Sequence, residues 1–201
     1  EHGLPRQVED QIIKELKDAA SQVQGILISD FVYGVITTRV LETIIKLSAK
    51  HQLLLFGDLQ CSSQVGNVSK FKNFDLLCPT ERESRIALGT QDEGLEWVAN
   101  ELIKKTNSRN LVMKLGGEGF ISYESKAEGF TNRQHFPALS INPVDVAGAG
   151  DSLLAALSVG LCSGATLMQS SAIGAGMASI AVQQLGNIPV SYQQLKNNLS
   201  K

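Results

Sequence analysis

The chain has 201 residues, of which 43% are hydrophobic and 19% charged, and its formal net charge is −2. This length and apolar content are enough to bury a sizeable core, which excludes a disordered or fibrous chain. The net charge is close to zero, and Lys and Arg are scattered along the sequence. The sequence therefore does not predict a basic surface that would bind nucleic acid or an anionic membrane.

The cysteines and the apolar runs exclude further classes of protein. The three cysteines, Cys61, Cys78 and Cys162, are widely spaced and odd in number, which argues against a disulfide framework and against a zinc site. No apolar run approaches the length of a membrane-spanning helix, and the first residues lack a signal-peptide pattern. We therefore expect a cytoplasmic protein without a nucleic-acid or membrane partner.

Helix and strand patterns alternate through the first part of the chain. Short continuous apolar runs predict buried strands, and apolar residues at helical spacing predict the helices between them. The predicted strands cover residues 26–28, 53–56, 76–78 and 111–113, with helices at 7–23, 81–88 and 93–105 and another that Thr37 or Thr38 can cap. Residues 120–123 are the expected hairpin partner of the fourth strand. This alternation predicts a mostly parallel sheet covered on both faces, in one α/β domain spanning residues 1–201.

A glycine-rich turn begins the last third of the chain. Residues 144–146 have the pattern of a short β segment, and small residues at 147–150 follow it. An apolar series at helical spacing then predicts a helix over residues 151–162, with further helices over 166–185 and 191–199. A glycine-rich turn that leads into a helix presents free backbone N–H groups and the positive end of the helix dipole, which together bind anions.

Asp151 lies in the first turn of that helix. An acidic residue there stabilises any helix by about 0.3–1 kcal/mol, and the glycines are also compatible with an ordinary turn. However, no Asp or Glu occurs from residue 152 to residue 201, so Asp151 is a lone carboxylate at the start of an apolar segment. Polar residues also follow the predicted strands, at Asp30, Asp58, Thr80 and Lys114, which is where ligands bind in parallel sheets.

The segment DVAGAGD, ending at Asp151, resembles the DTGAGD signature of the ribokinase-like (PfkB) carbohydrate kinases. The resemblance implies a ribokinase-like three-layer α/β/α sandwich and phosphoryl transfer from ATP. It also implies that Asp151 is the general base and that the amides of Gly148, Ala149 and Gly150 form the anion hole. Donors aimed at developing negative charge are what phosphoryl transfer requires. Ala147 departs from the family pattern, which commonly has Thr or Ser there.

Two further segments resemble the landmarks of this family. Glu83 matches the acidic residue of an N-x-x-E segment that holds the magnesium–phosphate assembly through water, although Thr80 replaces the asparagine. An acid in the first turn of a helix is equally explained by the helix dipole. The other segment, KLGGEG from Lys114, is similar to the K/T-L-G-x-x-G segment along the nucleotide. The resemblance assigns nucleotide contacts to Lys114, Gly116, Gly117 and Gly119.

Alternatives stay open for the nucleotide contacts, because glycines also form ordinary hairpin turns. The small apolar residues at 172–186 resemble the helix that makes room for adenine, and Asn187 would flank the same pocket. Tight packing of that helix against the sheet explains the same composition.

The segment SDFVYG, which contains Asp30, is similar to the heptose-phosphate kinase branch of the family, and Asp58 lies where that branch has D-P-K. The resemblance thus implies substrate contacts from Asp30 and Asp58 and a sugar or sugar phosphate, such as a heptose phosphate, as acceptor. Gln60 replaces the lysine of D-P-K, which leaves open how the phosphates are held. ATP and Mg²⁺ are the implied cofactors. Activation by a monovalent cation such as K⁺ stays open, and a homodimer is compatible with the resemblance.

The part of the family pattern that this chain resembles does not include the beginning of that pattern. The opening strand, the Gly-Gly sugar-binding turn and the β-sheet lid of the family have no counterpart before Glu1. We therefore expect nucleotide binding to survive in these 201 residues better than sugar turnover.

Other functions are alternatives to the kinase. A dinucleotide-binding oxidoreductase would need a third glycine where Leu153 stands, and no acidic residue follows for the ribose. A Walker phosphate loop is excluded because Gly-Lys-Ser/Thr does not occur. A non-catalytic nucleotide-binding or interaction domain on the same fold stays the alternative, since fold does not determine function.

Overall fold

The computed structural model describes residues 3–60, 67–126, 131–140 and 142–200, so that Cys61 lies outside the described residues. Within these residues the helices are α1 (Arg6–Ala19), α2 (Thr38–His51), α3 (Glu81–Leu88), α4 (Leu95–Thr106), α5 (Ala149–Cys162), α6 (Leu167–Ala181) and α7 (Tyr192–Leu199). The strands are β1 (Gly25–Asp30), β2 (Leu54–Leu59), β3 (Leu76–Leu77), β4 (Asn110–Lys114), β5 (Phe120–Ser125) and β6 (Thr131–Phe136).

The six strands form one sheet in the order β1-β2-β3-β4-β5-β6. Strands β1 to β4 pair in parallel, whereas β4, β5 and β6 pair antiparallel. The predicted mostly parallel sheet and the predicted hairpin after β4 are therefore confirmed. Because β1 to β4 run in one direction, their carboxyl ends meet at the same edge of the sheet.

Both faces of the sheet are covered by helices, as the continuous apolar strands predicted. Successive side chains of a strand point to opposite faces, which divides each strand between two layers. One core contains Ile28, Leu55, Leu77 and Leu111 with residues of α2, α3 and α4, and we call this side the first face. The second face carries Phe56, Leu76, Cys78 and Val112 under Leu153, Leu154 and Leu157 of α5. The result is the three-layer α/β/α sandwich.

Four parts of the sequence-based prediction differ from the structure. Helix α1 ends at Ala19 rather than at residue 23. Residues 144–146 are not a strand; the amides of Val144 and Asp145 instead donate to the carbonyl of Val182 just beyond α6. Helix α6 ends at Ala181 rather than at residue 185, and irregular backbone follows. Strand β6 was not predicted because its sequence, TNRQHF, is polar and only its pairing with β5 makes it a strand.

Helix starts agree with the polar residues that precede them. Thr37 caps α2 by accepting from the Val40 amide, and Thr166 and Ser191 form capping boxes at α6 and α7. None of the helices found in the described ranges has both the length and the apolarity needed to cross a membrane.

Gly57 of β2 lies where the sheet packs most tightly, one residue before Asp58. A Cβ added at Gly57 would lie 3.1 Å from Phe71, 3.2 Å from Leu77 and 3.2 Å from Phe74. All three side chains are buried in the core of the first face, so they have little room to move.

We predict that Gly57→Ala lowers the free energy of unfolding by about 1–3 kcal/mol, because overpacking a filled core costs this much. Urea denaturation followed by circular dichroism measures the change. Gly117→Ala is the matched control, since a Cβ there meets no atom within 4 Å, and it should change stability by less than about 0.5 kcal/mol. An unchanged urea midpoint for Gly57→Ala would contradict the prediction.

Candidate active site

Three polar side chains meet at the carboxyl edge of the sheet, on the second face. Asp58 is two residues after Phe56, and Lys114 is two residues after Val112, so strand alternation places both on the side of α5. Cys78, directly after β3, belongs to the same core. The sheet thus turns residues that are far apart in sequence into neighbours below α5.

Lys114 and Asp58 form a buried ion pair. The Nζ of Lys114 lies 2.6 Å from Oδ2 of Asp58, whose side chain is 0% exposed, while that of Lys114 is 14% exposed. This is the geometry of a charge-assisted hydrogen bond. The other carboxylate oxygen of Asp58, Oδ1, is buried and has no hydrogen-bond partner among the described residues.

The two charges shift each other's pKa. Burial raises the pKa of the Asp58 carboxyl, and the ammonium of Lys114 acts against this shift. Burial acts to lower the pKa of Lys114, but the surrounding negative groups, including Asp58 and Glu83, hold that pKa above its ordinary value. Lys114 therefore keeps its positive charge at neutral pH.

Cys78 lies among the charged groups of this edge. Burial raises the pKa of its thiol to about 12, the carboxylates of Asp58, Glu83 and Asp151 add to the shift, and Lys114 opposes it. The thiol therefore stays protonated and is not a nucleophile.

The first turn of α5 has backbone amides without an acceptor inside the helix. Gly148, at the N-cap, has φ +76° and supplies no side-chain cap. The first hydrogen bond of the helix runs from the Ser152 amide to the Gly148 carbonyl at 2.9 Å, and the Ala149 amide donates to the Val146 carbonyl, which lies before the helix, at 3.4 Å. In such a turn the N–H groups before Ser152 have no intrahelical acceptor.

The same turn lies against the Lys114–Asp58 ion pair. A Cβ added at Gly150 would lie 3.5 Å from the Nζ of Lys114. Asp151 is the next residue, and its side chain is neither fully buried nor fully exposed. The structure thus brings together the predicted base, the predicted anion hole and Lys114.

Asp145 and Asn187 contact this turn and fix the position of its backbone. Oδ1 of Asp145 accepts from the Ala147 amide and Oδ2 from the Gly186 amide, both at 2.9 Å, and these hydrogen bonds lower the pKa of Asp145. Asn187 packs so closely on Gly148 that a Cβ there would lie 2.0 Å from its Oδ1. Sequence reasoning gave Asp145 no role, although an aspartate two residues before an amide donor is typical of an Asx turn.

The glycines after β4 have two different environments. Gly119 has φ +91°, and a Cβ added to it would lie 2.1 Å from the Phe136 carbonyl oxygen, so close packing of two backbones requires this glycine. Gly116 and Gly117 lie in a short 3-10 turn, are exposed, and have no atom within 4 Å of an added Cβ. Their backbone is open to a ligand, and nucleotide contact by these residues stays a prediction.

Glu83 has a structural role that the sequence had left as an alternative. Its Oε2 accepts from the Thr80 amide at 2.7 Å, and the Thr80 hydroxyl accepts from the Glu83 amide at 3.2 Å. This capping box starts α3 at the carboxyl end of β3. It also buries the Glu83 carboxylate beside the charges around Cys78.

The donor set is compatible with magnesium. In the part of the chain that the structure describes, no group of three or more His, Cys, Asp and Glu side chains is arranged to hold a metal ion. Mg²⁺ prefers oxygen ligands, keeps several waters and commonly takes only one or two carboxylates with phosphate oxygens. Glu83, whose charge acts on the pKa of the Asp58 carboxyl, has a carboxylate of that kind, and its role toward Mg²⁺ stays a prediction.

The two predicted substrate residues, Asp30 and Asp58, lie on opposite faces of the sheet. Asp30 follows Ile28 on the first face, where its carboxylate pairs with Lys70 and accepts from the Val32 amide. Both aspartates are almost completely buried. The structure therefore does not bring them together, and contact of either one with a substrate stays a prediction.

Comparison with known proteins gives matches over most of the chain. The sequence pattern of the pfkB family carbohydrate kinases matches residues 5–193. The bifunctional protein HldE of Trichlorobacter lovleyi is 29% identical over 195 residues, which cover 96% of this chain and 38% of that protein. HldE of Geotalea uraniireducens is 29% identical over 187 residues, covering 91% of this chain and 36% of that protein. The chain therefore spans less than two fifths of these relatives.

Solved structures share the fold. Ribokinase from Giardia lamblia superposes with a TM-score of 0.76 at 18% identity, covering 94% of this chain and 62% of that one. Phosphofructokinase-2 from Escherichia coli, in complex with potassium, gives a TM-score of 0.74 at 17% identity over 94% of this chain and 61% of that one. Ribokinase from Thermotoga maritima gives 0.73 at 23% identity, covering 95% and 62%.

The two glycines of the turn give a prediction with an internal control. Gly148→Ala should destabilise the turn, because it forces a Cβ into Asn187 at a φ that side chains rarely adopt; the conformational part alone costs about 1–2 kcal/mol. Gly150→Ala, two residues further along, would bring its Cβ no closer than 3.5 Å to the neighbouring atoms outside its own helix and should fold as the wild type does. Thermal unfolding measures both, and equal stabilities of the two variants would contradict the account of the turn.

Proposed function

We propose that this chain, which belongs to the pfkB family of carbohydrate kinases, is the part of an ATP-dependent kinase that carries the catalytic base and binds the nucleotide. The reaction is phosphoryl transfer from ATP to a hydroxyl of a sugar or sugar phosphate. The observation that supports it most directly is the uncapped first turn of α5, with Asp151 on that turn and the Lys114 ammonium against Gly150.

Asp151 would act as the general base. Its carboxylate accepts the proton of the acceptor hydroxyl while that oxygen forms a bond to the terminal phosphorus of ATP, and the bond from phosphorus to the bridging oxygen breaks to release ADP. The amides of Gly148, Ala149 and Gly150 donate to the non-bridging oxygens as their charge rearranges. Because the turn is fixed by Asp145 and Asn187, the amides of Gly148 and Gly150 need no reorganisation during the transfer. The amide of Ala149 would exchange its 3.4 Å hydrogen bond to the Val146 carbonyl for one to the phosphate.

Glu83 would hold Mg²⁺, through water, beside the phosphates. When bound, the ion supplies positive charge to the oxygens of the transferring group. Along the nucleotide, the open backbone of Gly116 and Gly117 would contact the phosphates or ribose, and Asn187 would flank the base together with the small residues of α6. Activation by K⁺ stays a prediction for this chain, although phosphofructokinase-2 of Escherichia coli has been crystallised with potassium.

A heptose phosphate is the acceptor that the resemblance favours. The segments around Asp30 and Asp58 support this choice, as do the HldE relatives. The chain spans less than two fifths of those relatives, so the acceptor is proposed for the complete polypeptide. A panel of sugars and sugar phosphates with ATP and Mg²⁺ tests it. Turnover of a heptose phosphate above all others supports the proposal, and turnover of none of them contradicts it.

A non-catalytic nucleotide-binding domain is the second candidate. Ala147 and Thr80 favour it, because each replaces a residue that the family commonly uses at the site. The two candidates agree on ATP binding and differ on the need for a base, so substitution of Asp151 separates them.

We predict that Asp151→Asn in the complete polypeptide lowers kcat by about 10²–10⁴-fold, the usual contribution of a general base. ATP affinity should change little, because Asn keeps the shape of the side chain. Coupled ADP release measures kcat, and calorimetry measures binding. Asp92→Asn, at an exposed position in the loop before α4, is the control and should keep full activity. Normal turnover with Asn at position 151 would exclude the proposed mechanism.

Glu83→Gln separates a magnesium role from a purely structural one. Gln also completes a capping box, so stability should be nearly unchanged. Loss of the carboxylate charge should raise the Mg²⁺ concentration needed for half-maximal turnover by about 10–100-fold. This is the range found when a residue that orients the ligands of a metal is replaced. Glu81→Gln, in the same first turn of α3, is the control. If Glu83→Gln and wild type reach half-maximal turnover at the same Mg²⁺ concentration, Glu83 has no magnesium role and serves only in the capping box.

A further inference from the structure

A cavity of about 230 Å³ lies at the amino edge of the sheet, where β2 and β4 begin and where α5 connects to α6. We propose that this cavity binds a small zwitterion, namely an α-amino acid with an apolar side chain. Asn110 lines the cavity and begins β4, whereas Lys114 ends that strand, so that about 13 Å of strand separate the cavity from the candidate active site. The inference therefore does not depend on the proposed kinase function.

Three charged side chains line the cavity, and the candidate active site uses none of them. They are Arg109, which is exposed, and Asp75 and Glu124, which are half-buried. Within the described ranges none of the three forms an ion pair, whereas Arg39 and Arg85 each pair with a carboxylate. One positive and two negative groups thus line the same cavity and stay available to a ligand.

The backbone around Asp75 is fixed by hydrogen bonds. Oδ2 of Asp75 accepts from the Leu55 amide at 2.9 Å, and its backbone carbonyl accepts from Nδ2 of the buried Asn110 at 2.8 Å. The second carboxylate oxygen of Asp75 has no hydrogen-bond donor among the residues that the structure describes. This wall of the cavity is therefore formed before a ligand binds, and it keeps one carboxylate oxygen for that ligand.

The mixture of charges determines the class of ligand. A simple anion would be attracted by Arg109 but repelled by Asp75 and Glu124, and a simple cation would meet the opposite combination. A molecule that carries both charges avoids this conflict, because its carboxylate can pair with the guanidinium in a bidentate manner while its ammonium pairs with the acidic side chains. The start of α6 at Leu167 lines the same cavity, and the positive end of its dipole also favours a carboxylate.

The apolar part of the lining and the size of the cavity limit the ligand further. Leu54, Leu161 and Leu167 supply an apolar surface for a ligand side chain. Pockets for drug-sized ligands have volumes of about 300–1,000 Å³, and this cavity is smaller. We therefore expect a ligand of the size of a single amino acid.

Calorimetric titration of the 201-residue chain with L-valine tests the inference, with two analogues that each lack one charge. Isovalerate is valine without its ammonium group, and isobutylamine is valine without its carboxylate. We expect valine to bind, and each analogue to bind at least about tenfold more weakly, because each loses a hydrogen bond between charged groups. Valine should also raise the thermal unfolding midpoint, since it binds the folded chain only.

Substitutions in the cavity locate the binding site. Arg109→Gln and Glu124→Gln each remove one charge from a side chain that is not fully buried, so both variants should keep the circular dichroism spectrum of the wild type. Each should bind valine about 10–100-fold more weakly, the range expected for a hydrogen bond to a charged group. Arg133→Gln is the matched control, because it removes a guanidinium from β6, where Arg133 pairs with Glu96, and should leave valine affinity unchanged.

Four outcomes would overturn the inference. They are a failure of valine to bind, an analogue that binds as tightly as valine, wild-type valine affinity in both Arg109→Gln and Glu124→Gln, and a loss in Arg133→Gln as large as in Arg109→Gln. The last result would show an effect of net charge rather than of the cavity. Loss of kinase activity in the complete polypeptide would affect none of these measurements.

Discussion

The ion pair between Lys114 and Asp58 connects the sheet to the helix that carries the base. Asp58 is the penultimate residue of β2, Lys114 ends β4, and the Nζ of Lys114 lies close to α5 at Gly150. Neither charge would be tolerated alone at this depth, because an unpaired buried charge is strongly destabilising. The pair therefore fixes a positive charge at the edge of the sheet where parallel strands leave room for a ligand.

Around this pair, glycine and aspartate determine where the first turn of α5 can lie. Gly148 adopts a left-handed conformation against Asn187, and Asp145 binds the backbone on either side. The amide of Gly150 has no acceptor among the described residues, whereas that of Ala149 donates to the Val146 carbonyl, and Asp151 follows on the same turn. Helix geometry and dipole thus supply the anion site, and one side chain supplies the base, as phosphoryl transfer needs.

Sequence reasoning succeeded where the signal was local. Apolar runs located β1 to β4, polar residues located the helix starts, and the resemblance directed attention to the turn at Gly148. It failed where partners are distant: β6 is a strand because it pairs with β5, and Lys114 meets Asp58 across 56 positions. The resemblance assigned both Asp30 and Asp58 to the substrate, and only the structure shows that strand alternation places them on opposite faces of the sheet.

A crystal structure of the complete polypeptide with ADP, Mg²⁺, tetrafluoroaluminate and the best acceptor tests the central claim most directly. The account predicts the aluminium fluoride within hydrogen-bonding distance of the first-turn amides of α5 and of Lys114 Nζ, with the Asp151 carboxylate on the acceptor hydroxyl. A fluoride group bound elsewhere, with the turn at Gly148 unoccupied and Asp151 far from the acceptor, would contradict it.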